Sequence, residues 1–246
     1  MSALTIHQIK TNIAVWNRIR CTDLGKSFLT SVNYFSITYH DYTILKETRN
    51  GIPPKNIHCY FAIHNGGLQF YLINDINDAL LASFDGATEE IIQIEPKFDE
   101  NSTEICIPRI PVSKTKPINE PPFTDQIDPA DAHLRILAWN YWASNWYTSL
   151  KKQEKLDHNV LRVMTIPMED LTRLFKNDND SDCYPERSIN VMFGLKIFQD
   201  FGLNMEFILD NRLNTDKVPL ESGDQVFMDV SRPRPPFTIS EDFNLL

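Results

Sequence analysis

Glycine is scarce, with 8 residues in a chain of 246, and none of the 8 falls in a Walker-type, Gly-x-Gly-x-x-Gly or Gly-x-Ser-x-Gly string. Phosphate-cradling loops need glycine so that the backbone can approach the ligand closely, so nucleotide binding by those routes is disfavoured. The 4 cysteines, Cys21, Cys59, Cys106 and Cys183, include no close pair, which argues against a disulfide framework and against a thiolate zinc site. No apolar run approaches the roughly 18 residues that a membrane helix needs, and the first residues lack the charged start and apolar stretch of a signal peptide. A cytoplasmic protein with no membrane insertion is the expectation. His-Glu-x-x-His is also absent, and no lysine and arginine stripe exists that could follow a nucleic-acid backbone. Net charge is −9 and uneven: residues 1–123 carry 11 basic and 13 acidic side chains, residues 124–246 carry 13 and 20.

What is present is a sequence written twice. Ile13-Ala14-Val15-Trp16-Asn17 corresponds to Ile136-Leu137-Ala138-Trp139-Asn140. Phe35 to Asp41 then aligns with Met164 to Asp170, Ile57 to Ile63 with Ile189 to Leu195, and Leu68 to Leu72 with Leu203 to Phe207. Each copy closes on Pro-Pro-Phe, at Pro121-Pro122-Phe123 and Pro235-Pro236-Phe237. Matched blocks in one order define a repeat unit at 1–107, a proline-rich linker at 108–127 and a second unit with a proline-rich tail at 128–246.

The local grammar agrees. Thr5 followed by Gln8 has the spacing of a capping box, and Ile6, Ile9, Ile13 and Trp16 recur at helical intervals. Asp128, Pro129 and Asp131 supply a cap, a proline at the first helical position and an acid in the first turn. Second helices are expected at 38–47 and 167–176. Ile57, Cys59, Phe61 and Ile63 alternate as a strand, Asn65-Gly66-Gly67 turns, and Leu68, Phe70 and Leu72 return. The second copy reads as strands at 189–196 and 203–209 with a longer loop, and third strands are expected at 90–95 and 225–230. The order predicts an α+β protein of two units, each with helices on a small antiparallel sheet, related by a pseudo-twofold axis.

Ile166-Pro167-Met168-Glu169-Asp170-Leu171, Phe193-Gly194-Leu195 and Arg234-Pro235-Pro236 resemble a group of short, single-unit bacterial proteins of unknown function. The second copy fits that pattern better than the first, which has Thr38 for the proline and Ala62 for the glycine. The resemblance implies a duplicated unit and brings no activity with it.

Candidate chemistry is thin. Asp178-Asn179-Asp180-Ser181-Asp182 alternates acids as a calcium loop does, yet Cys183 and Ile189 stand where such a loop needs glycine and glutamate. His58 and His64 share a strand face about 20 Å apart, too far to hold one ion. His40-Asp41 and its counterpart Glu169-Asp170 are adjacent helical residues that do not face one another. No catalytic residue, metal or cofactor is assigned. Ala132, Ile136, Trp139, Ala143, Trp146 and Leu150 form an apolar stripe that Trp142 widens. The stripe reads first as a helix packed in the core; in the sharper reading Trp142 and Trp146, together with Arg232, Arg234 and Phe237 of the tail, are the candidate protein-binding residues, although the recurrence of Pro-Pro-Phe favours the tail as a strap over its own sheet. The expected function is a non-catalytic intracellular binding or scaffold protein, as a subunit of an assembly or as an acidic inhibitor or immunity-type protein. An enzyme or small-ligand protein with its site between the copies is the rival, with His40, Asp41, Glu169 and Asp170 to test first.

Overall fold

The structure, a computed structural model, describes residues 4–81, 90–98, 126–156, 160–175, 188–198, 202–210, 227–229, 232–234 and 243–246. In chain order the elements are α1 (Ile6–Ile19), α2 (Asp23–Thr30), β1 (Tyr34–Thr38), α3 (Tyr39–Lys46), β2 (Asn56–His64), β3 (Gly67–Asn74), α4 (Asp75–Leu80), β4 (Ile92–Ile94), β5 (Gln126–Ile127) and α5 (Pro129–Lys152). They continue with β6 (Val163–Pro167), α6 (Met168–Phe175), β7 (Ser188–Phe198), β8 (Gly202–Asp210), β9 (Phe227–Asp229) and β10 (Arg232–Arg234). Helices and antiparallel sheets are both present, so the α+β class holds.

The helix starts obey the sequence. Thr5 Oγ1 accepts from Gln8 N at 3.3 Å and Gln8 Oε1 accepts from Thr5 N at 2.8 Å, so the box satisfies donors at both ends of the first turn. Asp128 Oδ1 accepts from Ala130 N at 2.9 Å ahead of Pro129, and Lys151 and Lys152 complement the dipole at the far end of α5. The β2–β3 hairpin turns on Asn65 (φ 50°) and Gly66 (φ 77°), the positive pair that matches strand twist in a two-residue loop. At the second hairpin the strands extend into the expected loop 197–202: Ile197 pairs with Leu203 and Phe198 with Gly202.

Each sheet mixes the two halves of the chain. One has the order β1-β7-β8-β9-β5, the other β10-β6-β2-β3-β4. The expectation of a separate sheet in each half is thereby corrected: β1 joins the later hairpin and β6 joins the earlier one. The two junctions share a register. Phe35 lies opposite Val191 and Ile37 opposite Ile189, while Met164 lies opposite Cys59 and Ile166 opposite Ile57. Both are continued by one more backbone bond, Phe193 N to Asn33 O at 2.9 Å and Phe61 N to Arg162 O at 3.0 Å.

The sheets face each other across an aromatic core. Phe35 and Phe70 have ring centroids 4.8 Å apart, and Phe61 stacks toward Phe207 at 6.2 Å, contacts that cross from one sheet to the other. Outside, Ile9 and Ile13 of α1 pack on Tyr60, Ala62, Tyr71 and Ile73, and Ala132 and Ile136 of α5 pack on Met192 and Ile208. The layers therefore run helix, sheet, sheet, helix.

Both exchanged strands have their outer rims covered. Lys97 bridges to Tyr34, accepting from Asn33 N at 2.9 Å and donating to Tyr34 O at 2.8 Å. At the other rim Arg232, Pro233 and Arg234 pair with Thr165, Met164 and Val163, an edge position in which proline's missing N–H is tolerated. The chain reaches Lys97 from β4 and β10 from β9, so each closing segment crosses from one sheet to the rim of the other. Unpaired edges, which invite association, are shortened by this hook.

Gly25 sits where α2 crosses the end of α1: an added Cβ would lie 2.2 Å from Ile19 O and 2.7 Å from Arg20 Cα. Both are backbone atoms and cannot swing away. Gly25→Ala is expected to cost about 1–3 kcal/mol despite its better helix propensity. Gly67→Ala, whose nearest contact would be an ordinary 3.9 Å, is the control and should stay within about 0.5 kcal/mol. Urea unfolding of the two variants decides the matter; equal midpoints would disprove the close approach.

Candidate functional site

Helix α5 presents two different faces. Inward, Trp139 donates its indole N–H to Val32 O at 3.0 Å, Trp146 donates to Leu203 O at 2.7 Å, and their rings lie 5.9 Å apart. Tyr147 donates to Thr22 O at 2.8 Å, and burial pushes its phenol well above the ordinary tyrosine value, so it remains a neutral donor. Outward, Leu134, Tyr141 and Trp142 are 63%, 72% and 62% exposed. Between Ile136 and Leu150 the helix carries no charged residue. Tyr141 and Trp142 stand in solvent within that uncharged stretch, with Leu134 exposed ahead of it beside the Arg135–Asp131 pair, and this side of α5 is the candidate interface.

Of the residues singled out from sequence, Trp142 lies on that surface. Trp146 is 5% exposed and belongs to the core. Arg232 and Arg234 belong to β10, which pairs with β6 as an edge strand in the plane of the sheet rather than as a strap over it. Phe237 and the acidic string 178–182 lie outside the described residues. Asp41 accepts from Thr38 N at 2.9 Å and caps α3, while Glu169 pairs with Arg173 one turn along α6. These acids are thus occupied by their own helices. No group of three or more histidine, cysteine or acidic side chains that could hold a metal ion occurs among the described residues. Cys59 is fully buried, and burial raises its thiol pKa well above the ordinary value, which leaves it protonated and unreactive.

A second polar constellation lies on the outer face of the sheet that contains β2. Asn74 ends β3 and caps α4 by accepting from Asn77 N at 2.7 Å, and the short helix sets Asp78 over the strand. Asp78 Oδ2 is 2.6 Å from His58 Nδ1 and also accepts from the Tyr60 hydroxyl. Asp78 is 0% exposed and its Oδ1 has no partner; Thr165, opposite His58 on β6, has a buried hydroxyl that is also unmatched. Burial and then the Asp78 charge hold the Tyr60 phenol well above its usual pKa.

Residues 243–246 lie over this cluster. Phe243 has its ring centroid 4.6 Å from His58, Asn244 donates to Asp78 O at 2.9 Å, and Leu245 is 1% exposed among the side chains around α1. Burying a phenylalanine and a leucine stabilises by about 1.5–3 kcal/mol each, whereas each stranded polar atom costs about 1–3 kcal/mol. Sequence reasoning missed this cluster because Asp78 comes from a helix without a clear periodic signal, far from His58 along the chain.

No protein-family model matches the chain, and neither a curated protein nor a solved structure does. No helix among the described residues is long and apolar enough to cross a membrane.

Proposed function

We propose that this chain is a duplicated unit, arranged about a pseudo-twofold axis, that serves inside the cell as a non-catalytic protein-binding or scaffold protein. The duplication is supported by the junctions: Phe35 and Met164, matched by sequence, lie opposite Val191 and Cys59, also matched by sequence. Trp16 and Trp139 make the same reciprocal contact, donating to Leu161 O at 2.9 Å and Val32 O at 3.0 Å. In this reading the fused copies make intramolecular what a homodimer would make between chains.

The observation that carries the binding function is the exposed, uncharged face of α5. Tryptophan and tyrosine are enriched at binding hot spots because they offer large rigid area at low entropic cost. Affinity purification of the intact tagged protein at low salt, followed by native mass spectrometry, tests it. A stoichiometric protein partner is expected. Trp142→Ala should weaken that complex by about 2 kcal/mol or more, while changing stability by no more than about 0.5 kcal/mol. Recovery of the chain alone, or a complex indifferent to both Trp142→Ala and Tyr141→Ala, would overturn the proposal. Retention of the partner at high salt would favour apolar docking over masking of a basic partner by the acidic second half.

A further inference from the structure

We propose that the outer face of the sheet β10-β6-β2-β3-β4 is a recognition site for a short peptide carrying an aromatic residue and, two positions on, a leucine, and that residues 243–246 fill it as a displaceable ligand in cis. This site is separate from the α5 face and stands whether or not that face binds a protein.

The contacts are those of a docked peptide rather than of a strand. Phe243–Leu246 joins neither sheet; its one backbone bond within the segment is a turn, Leu246 N to Phe243 O at 3.3 Å. It is held by two buried anchors, Phe243 at 5% and Leu245 at 1% exposure, and by the Asn244 side chain between them, which donates to Asp78 O at 2.9 Å. Beneath the anchors lie groups that suit recognition better than core: the Tyr60 hydroxyl and His58 on Asp78, an unpartnered Asp78 Oδ1 and an unpartnered Thr165 hydroxyl. An all-apolar floor would gain from being covered permanently. Buried polar atoms without a partner cost about 1–3 kcal/mol each, which offsets part of what the two anchors contribute. Lifting the segment breaks no sheet pairing; it releases the Asn244 bond to Asp78 O and the Leu245 backbone bond to Tyr60.

A fluorescent peptide with the sequence of residues 241–246 is the probe, and anisotropy the readout. The wild-type chain should bind it weakly, because a tethered competitor acts at an effective concentration of about millimolar. The full chain with Phe243→Ala and Leu245→Ala should bind at least about tenfold more tightly, and adding His58→Ala should remove that gain. A folded double variant that does not bind, or one whose binding ignores His58→Ala, overturns the site. If the double variant does not fold, hydrogen exchange on the wild-type chain decides. Exchange of the amides of 243–246 at lower denaturant than those of the β2–β3 ladder supports a displaceable segment; exchange only with the ladder overturns it.

Discussion

Replacing Trp139 with alanine should lower the free energy of unfolding by about 3–5 kcal/mol, and Trp16→Ala should do the same. Both indoles are essentially fully buried, at 1% and 0% exposure, and each fills the space behind a phenylalanine of its own hairpin: Trp139 against Phe193 at 5.4 Å, Trp16 against Phe61 at 5.8 Å. Each indole N–H also reaches a carbonyl on the opposite half of the chain, just ahead of the exchanged strand. Phenylalanine at either position keeps most of the area and strands that carbonyl, so it should cost about 1–3 kcal/mol. The form of the transition carries as much information as its midpoint. Since each sheet is built from both halves, urea unfolding of either variant should remain a single transition by circular dichroism and by tryptophan fluorescence. A biphasic curve, with one half surviving the loss of its tryptophan, would contradict the shared sheets.

Why the exchange itself could not be read from the sequence follows from these strands. Val163 to Ile166 is buried at every position, so β6 shows none of the alternation that marks a half-exposed strand, and it passes directly into α6. β1 is equally short and runs straight into α3. Strands this short that lead directly into a helix carry no local signal to separate them from a turn ahead of that helix. Their partners are remote: Ser36 meets Asn190, 154 residues away, and no local pattern encodes a pairing at that distance. What was legible was local. The caps of α1 and α5, the tight turn at Asn65 and Gly66, and the third strands within 90–95 and 225–230 each depend on neighbours a few residues away.

The sequence match and the strand registers of the two hairpins differ at one block. Leu68 to Leu72 was matched with Leu203 to Phe207, but pairing sets Phe70 opposite Phe61 and Phe207 opposite Phe193, a displacement of two residues. A slip of two preserves the face of every side chain, so the hydrophobic pattern could not reveal it. For the candidate interface, the apolar stripe of α5 identified its buried side correctly, whereas the outward stance of Trp142 required the packing of the neighbouring elements.

Arg135→Met should cost about 3–5 kcal/mol, through the charge it leaves behind rather than the charge it removes. Glu206 lies on the outer face of β8 beneath α5 with 0% exposure, and Arg135 Nη1 donates to its Oε2 at 3.2 Å. Arg135 also holds Asp131 one turn back on α5, so a single guanidinium spans helix and sheet. The space is set by Gly194 on β7, where an added Cβ would come within 3.1 Å of Glu206 Oε1. With methionine at 135 the buried carboxylate loses the Arg135 guanidinium. Adding Glu206→Gln to Arg135→Met should recover part of the loss by removing the charge, and adding Glu206→Leu should recover most of it, since an apolar pair of similar volume replaces the ionic one. Urea midpoints of the single and double variants at neutral pH measure the coupling. A deficit below about 1 kcal/mol for Arg135→Met would mean that the contact behaves as an exposed ion pair, and α5 would then be packed more loosely on its sheet than the burial of Glu206 implies.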